Sequence, residues 1–138
     1  MIDIALAIAK KAHAGQVDKA GVDYIQHPLY VASQVKTEQE KAVALLHDVI
    51  EDSDVTADDL LASGLSNEVV TAVQILTKKK KGQSYQEYLE KVKSNNLARV
   101  VKLADLKHNS DLSRLKSVAN TDYERVKKYK NAIRYLST

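Results

Sequence analysis

The sequence contains no cysteine. That absence excludes a disulfide framework and thiolate chemistry, gives no support to an oxidising compartment, and restricts any metal site to histidine, aspartate and glutamate. A cytoplasmic setting is the resulting expectation. Long apolar runs are missing too. Stretches such as Val43 to Leu46 fall far short of the roughly 20 residues a membrane span needs. Met1-Ile2-Asp3 brings none of the basic character of a signal peptide, so neither a membrane partner nor export is expected. With four glycines, one proline and no alternating β-branched or aromatic runs, nothing in the chain reads as a strand.

What remains is ordinary globular material. The 138 residues are 44% hydrophobic and 28% charged, which fits neither a disordered tail nor a fibrous repeat. A chain of this length is one domain, residues 1–138, and buries about two-thirds of the surface its unfolded form exposes. Its net charge of +3 is unevenly laid out. Residues 1–41 hold five basic and five acidic side chains, residues 42–77 none and seven, and residues 78–138 sixteen and six. An acidic centre bordered by lysines can be a set of solvated helix faces. It also suits a phosphate-bearing substrate whose charge is shared between a bound cation and the lysines.

Helix signals run the length of the chain. Ile2, Leu6, Ala9 and His13 keep a three-to-four spacing that ends before Gly15, and a short helix is expected after His27-Pro28 through Val35. Thr37-Glu-Gln-Glu40 is a capping box opening a helix that carries Ala42, Leu45, Leu46, Val49 and Ile50 as its apolar stripe. Thr56 and Ser66 cap the next two, Ser84-Tyr-Gln-Glu87 is a second box, Leu97 to His108 reads as a buried helix, and Thr121-Asp-Tyr-Glu124 is a third box. The last helix, basic and amphipathic, is expected to close the core. The fold class is all-α, one compact bundle of seven or eight helices.

Two clusters carry the chemistry. In His47-Asp48-Val-Ile-Glu51-Asp52 a continuous helix places four polar groups on one flank. Acids near a helix C-terminus oppose its dipole, and no Lys or Arg on the same helix follows Lys41 to offset them, a conflict that a cation removes. In Lys102-Leu-Ala-Asp105-Leu-Lys-His108-Asn109, Lys102, Asp105 and Asn109 share one face of an otherwise apolar helix, where Lys102 can serve as the ion-pair partner of Asp105. The tyrosines, among them Tyr24, Tyr85, Tyr88 and Tyr129, read as core or core-edge residues.

His13-Ala-Gly-Gln16, Tyr24-Ile-Gln-His27-Pro28, Ala44-Leu-Leu-His-Asp-Val-Ile-Glu-Asp52 and Lys102-Leu-Ala-Asp105 with Asn109 occur in this order over roughly residues 3–115. In order and spacing they resemble the HD-domain hydrolases, and more narrowly the hydrolase domain of RelA/SpoT-type alarmone enzymes and the small alarmone hydrolases. The resemblance implies an all-helical enzyme that hydrolyses the 3′-pyrophosphate of guanosine tetra- or pentaphosphate, usually with manganese. Carried over residue by residue, it implies that His27, His47, Asp48 and Asp105 bind one divalent cation, most simply Mn²⁺. Glu51 and Asp52 then position or deprotonate the attacking water, with the two roles unassigned between them. Asn109 and Lys19 contact the nucleotide and its phosphates, with Lys78 as a further basic residue.

Three positions depart from the pattern that the resemblance implies. Asp18 stands where an arginine that packs on the guanine base is usual, Asp111 replaces another arginine, and Asp23 replaces a proline. A carboxylate in place of a planar cation removes stacking and repels phosphate. The expected activity is therefore a metal-dependent phosphohydrolase acting on a small phosphorylated nucleotide, with the alarmone as the leading substrate. The alternatives are another nucleotide or phosphate monoester, or a non-catalytic nucleotide-binding module; a nucleic-acid partner is not expected. The oligomeric state is left open.

Overall fold

The structure, a computed structural model, describes residues 1–138 apart from the side chain of Arg114. The elements in chain order are α1 (Ile2–Ala12), α2 (Gln26–Ser33), α3 (Glu38–Leu46), α4 (Val49–Asp52), α5 (Ala57–Ala62), α6 (Asn67–Leu76), α7 (Tyr85–Ser94), α8 (Asn96–Asn109) and α9 (Asn120–Leu136). A 3-10 turn lies at Leu112–Arg114. Among the described residues the one β interaction is an isolated bridge between Val17 and Asp23. The all-α class holds.

Helix α3 is the hub. Ala42, Val43, Ala44, Leu45 and Leu46 are all buried, which an amphipathic surface helix cannot achieve and a central helix must. It packs against α1, α2, α6 and α8, while α9 closes over α8 and α7. The capping boxes at Thr37 and Ser84 form as expected. So do the caps at Thr56, itself part of a box with Asp59, and Ser66. Each satisfies orphan amide groups of a first turn. At the other end of α2, the Lys41 ammonium donates to the Ala32 and Val35 carbonyls at 3.0 and 2.9 Å, where a cation also complements the helix dipole.

Three expectations are corrected. The single helix through His47 and Asp48 is broken into α3 and α4, with Asp48 at φ −107° and ψ −1°. His47 Nδ1 lies 2.5 Å from the Ala44 carbonyl, so a side chain occupies an acceptor near the end of the helix and competes with its continuation. Helix α2 begins at Gln26, two residues ahead of Pro28; a proline in a first turn forfeits only an amide that would lack a helical partner anyway. The third capping box is absent. Helix α9 starts at Asn120, and the Asp122 carboxylate rather than Glu124 accepts the Ala119 amide at 3.0 Å.

Candidate metal centre

His47 sits at the end of α3, Asp48 in the break that follows, His27 in the first turn of α2, and Asp105 on α8. Packing of α2 and α8 against α3 brings them together. Ligand atoms of His27, His47 and Asp48 lie within 4.8 Å of one another. His47 Nε2 is 3.0 Å and His27 Nε2 is 3.9 Å from Asp48 Oδ2. Asp105 Oδ1 adjoins them at 2.8 Å from His27 Nε2 and 3.5 Å from His47 Nε2.

The atoms themselves test whether a cation fits. The bond from His47 Nδ1 to a carbonyl requires the proton on Nδ1. In the neutral ring Nε2 is then a lone pair, buried without a hydrogen-bond partner yet facing two carboxylate oxygens. Lone pair against lone pair is repulsive unless a positive charge lies between them. Two imidazoles and the Asp48 carboxylate form a donor set suited to a first-row divalent ion, and these three can hold a metal ion, with Asp105 at the edge of the group.

The electrostatics express the same demand. Burial alone would lower the His47 pKa, but Asp48 and Asp105 hold it well above the usual imidazole value. Burial would raise Asp48, but His47 keeps it at about 2. Burial likewise pushes Asp105 upward, and Lys102, 3.1 Å away, together with His27 and His47, holds it well below the carboxylate range. The Tyr24 hydroxyl donates to Asp48 Oδ2 at 2.6 Å, and burial followed by the Asp48 charge keeps this phenol protonated. The Asn109 amide donates to Asp105 Oδ1 at 2.9 Å.

The two remaining acids differ in environment. Glu51 Oε1 accepts the backbone amide of Lys78 at 3.0 Å. Asp52 has its pKa raised by partial desolvation and by the charges of Asp48 and Glu51. The end of α4 is held by the first motif. Gln16 Nε2 donates to the Asp52 carbonyl at 3.0 Å and the Ala12 carbonyl at 3.2 Å, while its Oε1 meets His13 Nδ1 at 2.8 Å. Gly15, at φ +81°, supplies the left-handed turn that returns Gln16 toward α1.

Beside the group is a cavity of about 380 Å³ lined by Lys19, Tyr24, Asn109, Arg125 and Tyr129, among others. Lys19 and Asn109 are both brought to this cavity. Lys78 is not among the lining residues; its backbone approaches Glu51 and its ammonium lies 5.3 Å from the centre of the Tyr85 ring. Arg125 escaped the sequence reading, which expected α9 to close the core, and Tyr129 was read there as a core or core-edge residue rather than a cavity-lining one. Their i,i+4 spacing was the available signal, but nothing local said which face of α9 meets the cavity. Asp18 also lines it, and its Oδ1 accepts the Ala20 and Val22 amides at 2.8 and 3.0 Å, so this carboxylate fastens its own loop.

Residues 5–136 match the HD domain family. The chain belongs to that family. HD domains bind divalent metal ions, in keeping with the donor set above. This HD domain is 38% identical to guanosine-3′,5′-bis(diphosphate) 3′-pyrophosphohydrolase of Haemophilus influenzae, across 74% of this chain and 17% of that protein. It is 36% identical to the bifunctional (p)ppGpp synthase/hydrolase SpoT of Escherichia coli K12, across 76% of this chain and 17% of that protein. The chain therefore spans about a sixth of the length of these curated relatives. A solved structure described as a metazoan ortholog of SpoT that hydrolyzes ppGpp superposes with a TM-score of 0.80 at 21% identity, covering 98% of this chain and 84% of that one. That likeness establishes the fold.

Proposed function

We propose that residues 1–138 form one hydrolase unit that removes the 3′-pyrophosphate of guanosine tetra- or pentaphosphate, with a single Mn²⁺ held by His27, His47, Asp48 and Asp105. The observation that carries the proposal is His47 Nε2, buried without a hydrogen-bond partner and facing two carboxylate oxygens, beside a cavity lined by Lys19, Asn109 and Arg125. The identity to proteins named for this reaction supports the substrate. When bound, the cation polarises a phosphoryl oxygen and makes water a nucleophile near neutral pH.

The remaining steps belong to the chain. Asp52, whose raised pKa suits a general base, takes the proton as a water oxygen attacks the phosphorus attached to the ribose 3′ oxygen. The bond from that phosphorus to the 3′ oxygen breaks, pyrophosphate departs, and the 3′ oxygen is protonated from solvent. Glu51, anchored by the Lys78 amide, positions the water. Lys19 and Arg125 offset charge on the phosphates, Asn109 orients the nucleotide, and Lys78 adds positive charge at the acidic rim. The reaction is placed in the cytoplasm.

A second reading, hydrolysis of a different phosphorylated nucleotide, is favoured by one observation. Asp18 binds its own loop amides where a base-stacking arginine is usual in the enzymes this chain resembles. Anion-exchange analysis of products from guanosine tetraphosphate, with Mn²⁺ and with Asp48→Ala as control, separates the two. GDP and pyrophosphate from the wild type alone are expected. No turnover by a Mn²⁺-loaded wild type overturns the alarmone assignment, and equal turnover by Asp48→Ala overturns the site.

A further inference from the structure

The cation site has a supporting residue outside the four ligands. His27 Nδ1, the edge of the ring turned away from the carboxylates, lies 2.7 Å from Nδ1 of His108. The two rings are within 10° of parallel with centroids 5.0 Å apart, the arrangement of imidazoles joined nitrogen to nitrogen close to a common plane. His108 is fixed from another side by the Tyr30 ring, whose centroid is 4.2 Å away at 22°. Asp105 and His108 both belong to α8, three residues apart. One helix thus grips both edges of His27: Asp105 Oδ1 is 2.8 Å from Nε2, and His108 holds Nδ1.

We infer that His108 is a positioning residue that sets the tautomer of His27. A ligand nitrogen must offer a lone pair. Once His27 Nε2 faces a cation, the proton of the neutral ring resides on Nδ1, and His108 Nδ1 is the atom in place to accept it. Without a cation, the 2.8 Å contact with Asp105 suits a proton on Nε2, and His27 Nδ1 then needs a donor. An imidazole can be acceptor in the first arrangement and donor in the second by exchanging its own tautomer. A carboxylate could only accept and an ammonium could only donate. The group holding the far nitrogen of a ligating histidine fixes ring orientation and basicity, and its loss typically weakens metal binding about 10- to 100-fold.

This inference rests on the proposed cation site, and the test separates the two. Mn²⁺ affinity is measured by calorimetric titration of the full chain as wild type, Asp48→Ala, His108→Leu and His108→Gln. His108→Leu keeps an apolar surface against Tyr30 but cannot accept a hydrogen bond, and should bind about 10- to 100-fold more weakly. In His108→Gln the amide can accept or donate and should restore most of that loss. Independently, nitrogen NMR of the wild type loaded with diamagnetic Zn²⁺ should find the His27 Nδ1 proton hydrogen-bonded to His108 Nδ1, read as a scalar coupling between the two nitrogens. That second readout decides the matter if His108→Leu shows no cooperative unfolding transition. Binding by His108→Leu within about twofold of a wild type that Asp48→Ala abolishes overturns this inference alone, as does the absence of that nitrogen–nitrogen coupling in the Zn²⁺-loaded protein. A wild type that takes up no Mn²⁺ overturns the site and the inference together.

Discussion

Replacing Lys102 by methionine removes the cation beside Asp105 while keeping an unbranched chain of similar length. Lys102 Nζ lies 3.1 Å from Asp105 Oδ2, and the two side chains are 16% and 7% exposed, so solvent screens the pair weakly. At that separation an effective dielectric constant of about 20 gives an attraction of about 5 kcal/mol, from which the variant recovers the desolvation of the ammonium. Removing one partner of a buried pair typically costs about 3–5 kcal/mol because the other charge is left uncompensated. His27 and His47 still face Asp105, so a loss of about 3 kcal/mol is expected at pH 7 in the metal-free protein. The pH dependence has a definite sign. Asp105 has a depressed pKa in the fold, so its contribution is present above the unfolded carboxylate value and lost as pH falls through the folded one. The gap between wild type and variant should therefore be widest at neutral pH and shrink in acid. Urea unfolding in EDTA, followed by circular dichroism, measures it. A loss below about 1 kcal/mol, or one of equal size in the Asp105→Asn background, would refute the reasoning, since the pair could not then be its source.

Two further outcomes follow from the same geometry. Asp48 is held at about 2 in the fold against an ordinary value of 3.8, so the metal-free protein should keep its stability above pH 4 and lose about 2 kcal/mol from this group as pH falls toward 2. Melting temperatures across that range should decline less steeply in Asp48→Asn, and an identical decline would exclude Asp48 as the source. Gln16→Leu removes the amide that holds the Asp52 carbonyl. It should cost about 1 kcal/mol of stability and lower kcat with Mn²⁺ affinity unchanged; an unaltered kcat would show that α4 needs no such anchor.

The helices were legible because their signals are local. Thr37 and Ser84 with their partnering glutamates, the caps Thr56 and Ser66, and the three-to-four spacing of Ile2, Leu6 and Ala9 act within a turn or two, where neighbours along the chain are neighbours in space. The failures were at ends and breaks. Thr121 has as good a capping pattern as Thr37, yet α9 starts at Asn120 with Asp122 serving its first turn. The break after Leu46 depends on a histidine side chain taking a carbonyl, which helical periodicity does not register.

The residue types of the site could be read from motifs, but their convergence could not. His27 and Asp105 are 78 residues apart in sequence and 2.8 Å apart in the fold. That distance comes from α2 and α8 packing on the same buried α3, a result of many apolar contacts with no local signature. The pairing of His27 with His108, the approach of the Lys78 amide to Glu51, and the placement of Arg125 and Tyr129 in the cavity have the same origin. Short-range sequence set where most helices begin and which chemical groups they carry. Long-range burial set which of those groups meet, because hydrophobic packing is non-directional and its outcome depends on the whole chain at once.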